Sequence, residues 1–529
     1  MHPTISHDDD GPTKDLISED VLRLEEFGYK QELKRGFGFF GMIGFSFSVL
    51  TCWTALAGSL TVAIAAGGPP VIIYSWVGVC FFSLAVAYSF AEICSAYPVA
   101  GGQYSWMSIL APPKYSKVTS YICGWFIVIG FLSAGAANGF IGSNFVLGMA
   151  QLANPSYTIE RWHTCLLCYL VLIIAALVNI FGRFLLDKLG RIMIIFNLVS
   201  FVVVMAVILA MDDHKQDAEF VFVTFQNSTG FGNSYTALLG ILQAAFGMTG
   251  YDATAHMTEE LHDARNTAPK AIIWSVWIGA GTGFAFLIAA MFCIGDLESV
   301  VSTPTGVPLI AIFQEATGSV RGALALTILI TIIALVSLWF LMAQSSRVIF
   351  SFARDGGLPF SKTIAKVHPT LQVPINAILV VLVINIALMS IDFGSVTGFN
   401  TVLAISTEAF CELRTSPLPD HTDSATDLSY AMPLVARIWQ HIQGQHDIDS
   451  AYSLGKLGLP FNIIGLTYLI FAIITFNFPS VSPVTADNMN YTSAAVGVSI
   501  VIATLTWFTT GRKHYVGPRR DGVVHSRGD

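Results

Sequence analysis

The residues of this sequence best suited to chemistry lie in one apolar segment, AFGMTGYDATAHMTEE, at residues 245–260. It holds two glycines three positions apart, then Asp252, then His256 one helical turn later. An ionised carboxylate inside a bilayer costs about 2.5 to 3.5 kcal/mol even on the lenient insertion scale, so Asp252 needs a partner or a proton. Because desolvation favours the neutral form of a carboxyl group, Asp252 is a candidate proton carrier.

Each of these side chains also has a purely structural interpretation. Asp252 could instead cap the second half of a broken helix by accepting hydrogen bonds from free backbone N–H groups. His256 could assist a proton path, although a histidine in such a place more often hydrogen-bonds between helices. We expect Glu259 and Glu260, near the cytoplasmic end of the segment, to contact basic loops.

The glycine spacing has a counterpart near the start of the chain, where FGMIGFS at residues 40–46 echoes FGMTGYD at residues 246–252. Unwinding a membrane helix frees N–H and C=O groups that lipid cannot satisfy, so a break persists only where substrate, ion or water satisfies them. Paired breaks at matching places in two halves of a chain point to a binding site near the membrane midplane. Glycines can also simply let helices pack closely, as we expect for Gly135 and Gly139.

The elements that must position these residues are membrane helices. Of the 529 residues, 54% are hydrophobic and 12% are charged, and apolar runs of about 20 residues, long enough to cross a bilayer, recur throughout. They predict an all-α polytopic membrane protein. Its twelve predicted spans, numbered in order, are 39–65, 71–95, 119–150, 164–182, 189–210, 235–262, 270–294, 319–349, 374–391, 396–438 with an interruption, 459–478 and 492–511.

Several classes of function lack their characteristic residues. The net charge of -8 comes mostly from polar segments outside the spans and does not indicate nucleic acid binding. The spans contain no metal-spaced His/Asp cluster and no nucleophile motif, so we expect no enzyme, no cofactor and no metal site. Cys165 and Cys168 form a C-x-x-C pair in one apolar helix and are expected to be packing thiols. A channel would favour a continuous polar pore, whereas the polar residues here concentrate at the two breaks.

Several longer motifs resemble one family. They are FGMTGYDATAHMTEE followed by ARNTAPKAI, the loop AEICSAYPVAGGQYSW, GFSFSVLTCW in span 1, and FARDGGLPFSKTIAKVHPTLQVPINA after span 8. Over residues 28–515 the chain resembles the fungal amino acid/choline permeases, relatives of GABA permease in the amino acid-polyamine-organocation (APC) superfamily. The resemblance implies a LeuT-type fold: a five-plus-five inverted repeat with discontinuous spans 1 and 6, plus two C-terminal helices. It also implies a secondary active transporter, a symporter that works by alternating access.

The resemblance further implies where substrate binds. Span 1 would be unwound at residues 45–49 and span 6 beside its glycines, with the substrate between them. Half-helix N-termini offer N–H groups to a carboxylate and exposed carbonyls accept from an ammonium, which suits an amino acid or GABA. The substrate-binding residues implied are Ser46, Phe47, Ser48, Val49, Phe246, Gly247, Met248, Thr249 and Tyr251, with Phe246 as an aromatic gate.

The substrate class stays open at this point. Choline lacks a carboxylate and would need aromatic faces around its quaternary nitrogen. The aromatic residues available for this are Phe45, Phe47, Trp53, Phe246 and Tyr251. A polyamine carrier is also compatible with these residues, as is a non-transporting nutrient sensor on the same scaffold.

The coupling ion is expected to be a proton or sodium. Many proton-driven relatives carry a lysine in span 5 where Ser200 stands here, so Asp252 is the proton-coupling candidate. Ser345 and Ser346 in span 8 could supply hydroxyls near a sodium-type site, or could bond the preceding helical turn.

Positive charge predicts the orientation, because Lys and Arg are retained on the cytoplasmic side. Both termini are expected to be cytoplasmic, which places the glycosylation motifs at Asn227 and Asn490 outside. We expect a cytoplasmic N-terminal tail at 1–36, polar and flexible with a short helix near 18–27. A transporter domain at 37–511 and a cytoplasmic C-terminal tail at 512–529 would follow. The expected location is the plasma membrane, with the vacuolar membrane as the second choice.

One stretch departs from the family pattern. CELRTSPLPDHTDSATD, residues 411–427, interrupts span 10 with charges and prolines at hydrocarbon depth. Neither flank spans a bilayer alone, whereas 399–410 and 428–438 joined together would. We hypothesise that the stretch is an unremoved intron, which a mature transcript containing these codons would contradict.

Overall fold

The computed structural model describes residues 12–50, 52–394, 424–446, 448–479, 481–485, 489–490 and 492–518. Within these residues, nine helices are long and apolar enough to cross a membrane. They correspond to predicted spans 2 to 5, 7 to 9, 11 and 12. The all-α polytopic membrane class is therefore confirmed, and spans 1, 6 and 10 are the ones that the sequence marks as interrupted.

The membrane helices have the following bounds. Span 1 contains Phe39–Leu50 and Cys52–Ala65, and span 6 contains Asn233–Gly247 and the 3-10 helix Ala255–Glu260. The described part of span 10 is Ser424–Ile442. The remaining spans are Gly68–Ala96, Ser116–Ala153, Arg161–Phe181, Arg183–Met211, Ala264–Phe292, Val320–Arg354, Ile375–Gly394, Gly458–Thr475 and Thr492–Thr506, the last continued by the π-helical turn Trp507–Gly511 and by Arg512–His514.

Shorter elements connect the spans. The helical ones are Pro12–Glu26, Gln103–Leu110, Ala218–Phe222, Leu297–Val301, Pro308–Thr317, Ser361–Ile364 and the 3-10 turn Gly455–Leu457. Two short strands, Ala66–Gly67 and Gln226–Asn227, pair antiparallel. The strands link the end of span 1 to the loop that precedes span 6.

Span 2 packs extensively on span 7 and span 3 on span 8, and span 1 packs as extensively on span 5. The first two pairs bear on the predicted repeat. These are corresponding members of the two units in the predicted five-plus-five repeat. Corresponding helices meet in this way when two copies of a unit are related by an axis between them. The packing therefore supports the repeat, which stays a prediction.

Span 1 is not open where the resemblance places its unwound part. The helix Phe39–Leu50 runs through residues 45–49, so that position for the opening is wrong. The two glycines before it serve close packing instead, because a Cβ at Gly44 would lie 1.9 Å from the carbonyl oxygen of Gly190 and one at Gly41 would overlap Asp187. A methyl group at either glycine would push span 1 away from span 5. Residue 51 lies outside the described residues.

Span 6 breaks beside its glycines, as the sequence predicts. Its first helix ends at Gly247, residues 248–254 are not helical, and the 3-10 helix begins at Ala255. Gly250 has a φ of 92°, in the left-handed region that costs a residue with a Cβ about 1 to 2 kcal/mol. Within the break the Thr249 N–H donates to the carbonyl oxygen of Phe246 at 3.2 Å, and the carbonyl oxygen of Asp252 accepts from Ala255 at 2.8 Å.

The residues before span 1 pack against the helix bundle, contrary to the flexible tail that their polarity predicts. Helix Pro12–Glu26 leads into a segment in which Phe27 and Leu33 are buried. Gly36 and Phe37 then donate backbone hydrogen bonds to the carbonyl oxygen of Glu260, at 2.9 and 3.0 Å. We call residues 20–37 the N-terminal strap, because they cover one end of span 6.

Only the end of the atypical stretch in span 10, residues 424–427, lies within the described residues. Residues 395–423, which include the first flank and most of the interruption, lie outside the described residues. The second flank is longer than predicted, since its helix begins at Ser424 and ends at Ile442. This helix carries Tyr430 into the centre of the bundle, where the side chain is buried.

Candidate functional site

A small cavity lies beside the break in span 6. Its volume is about 60 Å³, room for a few water molecules. Spans 1, 3, 6, 8 and 10 all contribute to its wall. The lining residues are Val49, Leu50, Ala55, Phe131, Ala134, Ala137, Asn138, Ile141, Phe246, Thr249, Gly250, Leu341 and Tyr430.

Three of the predicted substrate-binding residues, Val49, Phe246 and Thr249, line this cavity. Tyr251 lies next to it, with its ring centroid 5.1 Å from that of Tyr430. The structure thus brings spans 1 and 6 together at one cavity, as the resemblance implies, although span 1 contributes side chains of an intact helix.

The remaining predicted substrate residues do not line the cavity. The hydroxyl of Ser46 hydrogen-bonds across to span 6, and Phe47 is fully buried. Ser48 is also buried, and its hydroxyl has no hydrogen-bond partner among the described residues. Gly247 and Met248 lie at the end of the first helix of span 6. Because span 1 stays helical here, its backbone groups at residues 46–49 are not free to bind a ligand.

Sequence reasoning missed the contributions of spans 3, 8 and 10. Phe131 and Leu341 look like ordinary packing residues in the sequence, so no signal distinguishes them. The sequence could have identified Asn138, since a lone amide within an apolar span usually faces the protein interior. No hydrogen bond joins the Asn138 side chain to any other described residue, and it is the amide that faces this cavity.

A buried polar cluster adjoins the cavity, centred on the fully buried Asp252. Gln103 Nε2 donates to Asp252 Oδ2 at 2.6 Å, and the Tyr430 hydroxyl donates to Oδ1 at 2.7 Å. His256 Nε2 lies 3.1 Å from Oδ2, while His256 Nδ1 lies 3.1 Å from the carbonyl oxygen of Ala100. Asp252 therefore has side-chain partners from three segments, and among the described residues no backbone N–H donates to it as a helix cap would require.

The position of His256 depends on a glycine opposite its ring. A Cβ at Gly102 would lie 2.5 Å from His256 Cε1, and Gly102 has a positive φ of 57°. On the other side, the edge of Phe131 contacts the imidazole, with ring centroids 5.2 Å apart. The histidine is therefore held between the loop before span 3 and span 3 itself, and it does hydrogen-bond between segments.

Two ion pairs join the end of span 6 to span 8. Arg354 donates to both carboxylate oxygens of Glu259, at 2.7 and 2.9 Å, and Arg347 Nε donates to Glu260 at 2.6 Å. The partners of both glutamates are therefore arginines of a neighbouring span, and the prediction that they contact basic loops is wrong. Charges that would be costly alone are paired in a buried place.

The N-terminal strap adds further contacts to the end of span 8 that is paired with span 6. The guanidinium of Arg354 lies 4.0 Å from the centroid of the Tyr29 ring, and the Tyr29 hydroxyl donates to Asp355 at 2.8 Å. The Tyr104 hydroxyl donates to the same carboxylate at 3.0 Å. Burial raises the pKa of Asp355 to about 6, and the charge of Arg354 and the two hydroxyls offset this only in part.

The hydroxyls expected near a sodium-type site bond within their own helix. Ser345 donates to the carbonyl oxygen of Leu341 at 2.7 Å, and Ser346 donates to that of Ala343 at 2.8 Å. Ser200 is buried in span 5. Both hydroxyls thus bond the preceding helical turn, and Ser345 also lies 3.4 Å from the carbonyl oxygen of Phe131 in span 3.

Comparison with known proteins agrees with this architecture. The family model described as amino acid permease matches residues 37–502. A Macrophomina phaseolina protein named as an amino acid/polyamine transporter is 57% identical over 86% of this chain and 97% of its own length. The choline transporter of Saccharomyces cerevisiae is 31% identical over 97% of this chain and 90% of its own. An amino-acid permease of Arabidopsis thaliana is 27% identical over 95% of this chain and 97% of its own.

Proposed function

The chain belongs to the amino acid permease family, and we propose that it carries an amino acid or a related small amine such as GABA by proton-driven symport. The family and the membrane helices make it an integral membrane transporter of a small molecule and not an enzyme. The proposal adds the substrate class, alternating access and the coupling ion. It also includes a location in the plasma membrane and a cytoplasmic position for both termini.

The observation that carries the proposal is the cavity at the break in span 6. The first helix of span 6 ends at Gly247, so the negative end of its dipole points toward this region and favours an ammonium group. The amide of Asn138 supplies a donor for a carboxylate, whereas the Thr249 hydroxyl donates to the carbonyl oxygen of Ala245 at 3.0 Å. A zwitterion has both charges that this arrangement would recognise.

A quaternary or multiply charged amine is the second candidate. Phe131, Phe246 and Tyr430 bring three aromatic rings to the cavity wall, and aromatic faces stabilise a choline-like cation. One relative is named as a choline transporter and another as an amino acid/polyamine transporter. By contrast, Phe45 packs on Phe340, with ring centroids 4.9 Å apart, and does not line the cavity.

The proposed coupling ion is a proton carried at Asp252. This residue lies in the break of span 6, is fully buried, and shares Tyr430 with the cavity wall. Sodium is the alternative coupling ion, because the Ser345 and Ser346 hydroxyls donate their hydrogens within their helix and keep oxygen lone pairs.

Uptake in cells that lack their own carriers tests the proposal. Labelled GABA, other amino acids, choline and a polyamine would be offered with and without a proton gradient. We expect N138A to lower uptake of a zwitterion at least tenfold. The carboxylate of the substrate loses the hydrogen bond from the Asn138 amide, which is worth about 1.5 to 3 kcal/mol. T327V is the matched control, since among the described residues the Thr327 hydroxyl donates only to the carbonyl oxygen of Ala323 within span 8.

Other results of this uptake assay would support a different assignment. Accumulation of choline or polyamine but no zwitterion would transfer the assignment to the second candidate. Substrate binding without accumulation would indicate a nutrient sensor on the same scaffold and would contradict transport.

A further inference from the structure

The hydrogen bonds around Asp252 fix the number of protons that the cluster holds. The carbonyl oxygen of Ala100 can only accept, so the His256 Nδ1 that faces it at 3.1 Å carries a hydrogen. His256 Nε2 faces Asp252 Oδ2 at 3.1 Å, and a bare nitrogen opposite a carboxylate would place two acceptors in contact. One proton therefore lies between Nε2 and Oδ2.

With this proton the pair of side chains is neutral overall, whichever atom holds it. Gln103 and Tyr430 add two neutral donors to the carboxylate and leave the net charge unchanged. Loss of the proton would leave one negative charge in a site where both side chains are fully buried. Such a charge is costly until water reaches it, so release of the proton requires the site to open.

No free cation among the described residues could replace the proton. The groups that face the pair are Ala100, Gly102 and Gln103 before span 3, Phe131 of span 3 and Tyr430 of span 10. The nearest charges on the same segment, Glu259 and Glu260, are each paired with an arginine of span 8. The proton is thus the positive charge that makes the buried pair neutral.

Tyr430 connects this proton to the cavity. Its ring forms part of the cavity wall, and its hydroxyl donates to Asp252 Oδ1 at 2.7 Å. A substrate that fills the cavity must press on this ring or displace it, which alters the hydrogen bond to the carboxylate. By reciprocity, protonation of the pair then alters the affinity for substrate.

We propose that Asp252 and His256 form one shared proton-binding site, and that Tyr430 is the positioning residue that couples the site to substrate. This proposal rests on the proton-driven transport proposed above. It assigns His256 a role in proton binding and Tyr430 a role in coupling. Gln103 holds Oδ2 in place for the proton.

Purified protein in liposomes tests the proposal through two rates. Exchange of labelled for unlabelled substrate needs the cavity alone, whereas accumulation driven by a pH gradient also needs the proton. We expect Y430F to lower the ratio of accumulation to exchange at least tenfold, because the ring remains and the donor to Asp252 is lost. H256Q should flatten the pH profile of accumulation. Y121F is the control, since the buried Tyr121 hydroxyl has no hydrogen-bond partner among the described residues.

The outcomes separate this proposal from the one on which it rests. Wild-type protein that exchanges substrate with no response to a pH gradient would contradict proton coupling itself. Wild-type protein that is proton-driven, together with Y430F of unchanged ratio or H256Q of unchanged pH profile, would overturn the shared site alone. An equal fall in Y121F would show a general effect of losing a buried hydroxyl and would also overturn it.

Discussion

At the scale of single residues, Asp355 gives the clearest expectation for pH. Its pKa rises from 3.8 to about 6 because the carboxyl is buried under the N-terminal strap. A group whose pKa is higher in the folded protein contributes stability below pH 4, and that contribution is lost as the pH rises through about 6. The corresponding difference is about 3 kcal/mol.

We therefore predict that the melting temperature of the purified protein falls between pH 4.5 and 7, and that D355N removes much of this fall. Asparagine keeps an oxygen that accepts from Tyr29 or Tyr104, so the fold should persist. D213N, at an exposed loop residue, is the control and should keep the wild-type profile. A D355N profile as steep as that of the wild type would contradict the prediction.

Single residues also show what the sequence could and could not predict. The need of Asp252 for a partner or a proton followed from one carboxylate in an apolar segment. The identity of its partners did not follow, because Gln103 and Tyr430 come from distant parts of the chain. The predicted partners of Glu259 and Glu260 were wrong for the same reason, since only the packing of span 8 decides which arginines they contact.

At the scale of elements, the ion pair of Glu259 and Arg354 fastens span 6 to span 8. E259Q leaves the largely buried guanidinium of Arg354, 13% exposed, without its charge partner, a loss that costs about 3 to 5 kcal/mol when burial is complete. We predict a lower melting temperature for E259Q, and a smaller loss for E259Q/R354M, in which neither charge remains. E25Q, on the exposed face of the N-terminal helix, should match the wild type. A double variant at least as unstable as E259Q would contradict the account.

The two glycine-spaced segments explain a partial success of prediction at this scale. In both, glycines three residues apart suggested a break, because glycine tolerates both an open backbone and close packing. In span 6 the positive φ of Gly250 accompanies a real break, whereas in span 1 Gly44 lies against the backbone of Gly190. The sequence of span 1 alone cannot distinguish the two uses, because the second depends on where span 5 lies.

At the scale of the whole molecule, hydropathy predicted most spans because a bilayer imposes a minimum apolar length. The N-terminal strap was missed, since its buried Leu24, Phe27 and Leu33 are spread among charged residues and resemble a solvated tail. Its order arises from contacts with spans 6 and 8 that no local pattern records.

The stretch at 411–427 leads to a prediction about the whole chain. Joining residues 410 and 428 would restore one apolar span and remove charges from hydrocarbon depth, each costing about 2.5 to 3.5 kcal/mol at the centre of a helix. We predict that deletion of 411–427 raises the amount of folded protein in the membrane, measured by fluorescence-detected size exclusion. Replacing 411–427 with a polar linker of the same length is the control. A deletion variant with less folded protein than the full chain would contradict the intron hypothesis.

We propose that the cavity at the break of span 6 belongs to a proton-driven carrier of a small amine. The most direct test is proton movement into liposomes that contain the purified protein and a pH-sensitive dye, on addition of substrate without an imposed gradient. We expect acidification of the lumen that depends on substrate and is absent in D252N. Substrate entry with no change in lumenal pH would contradict it.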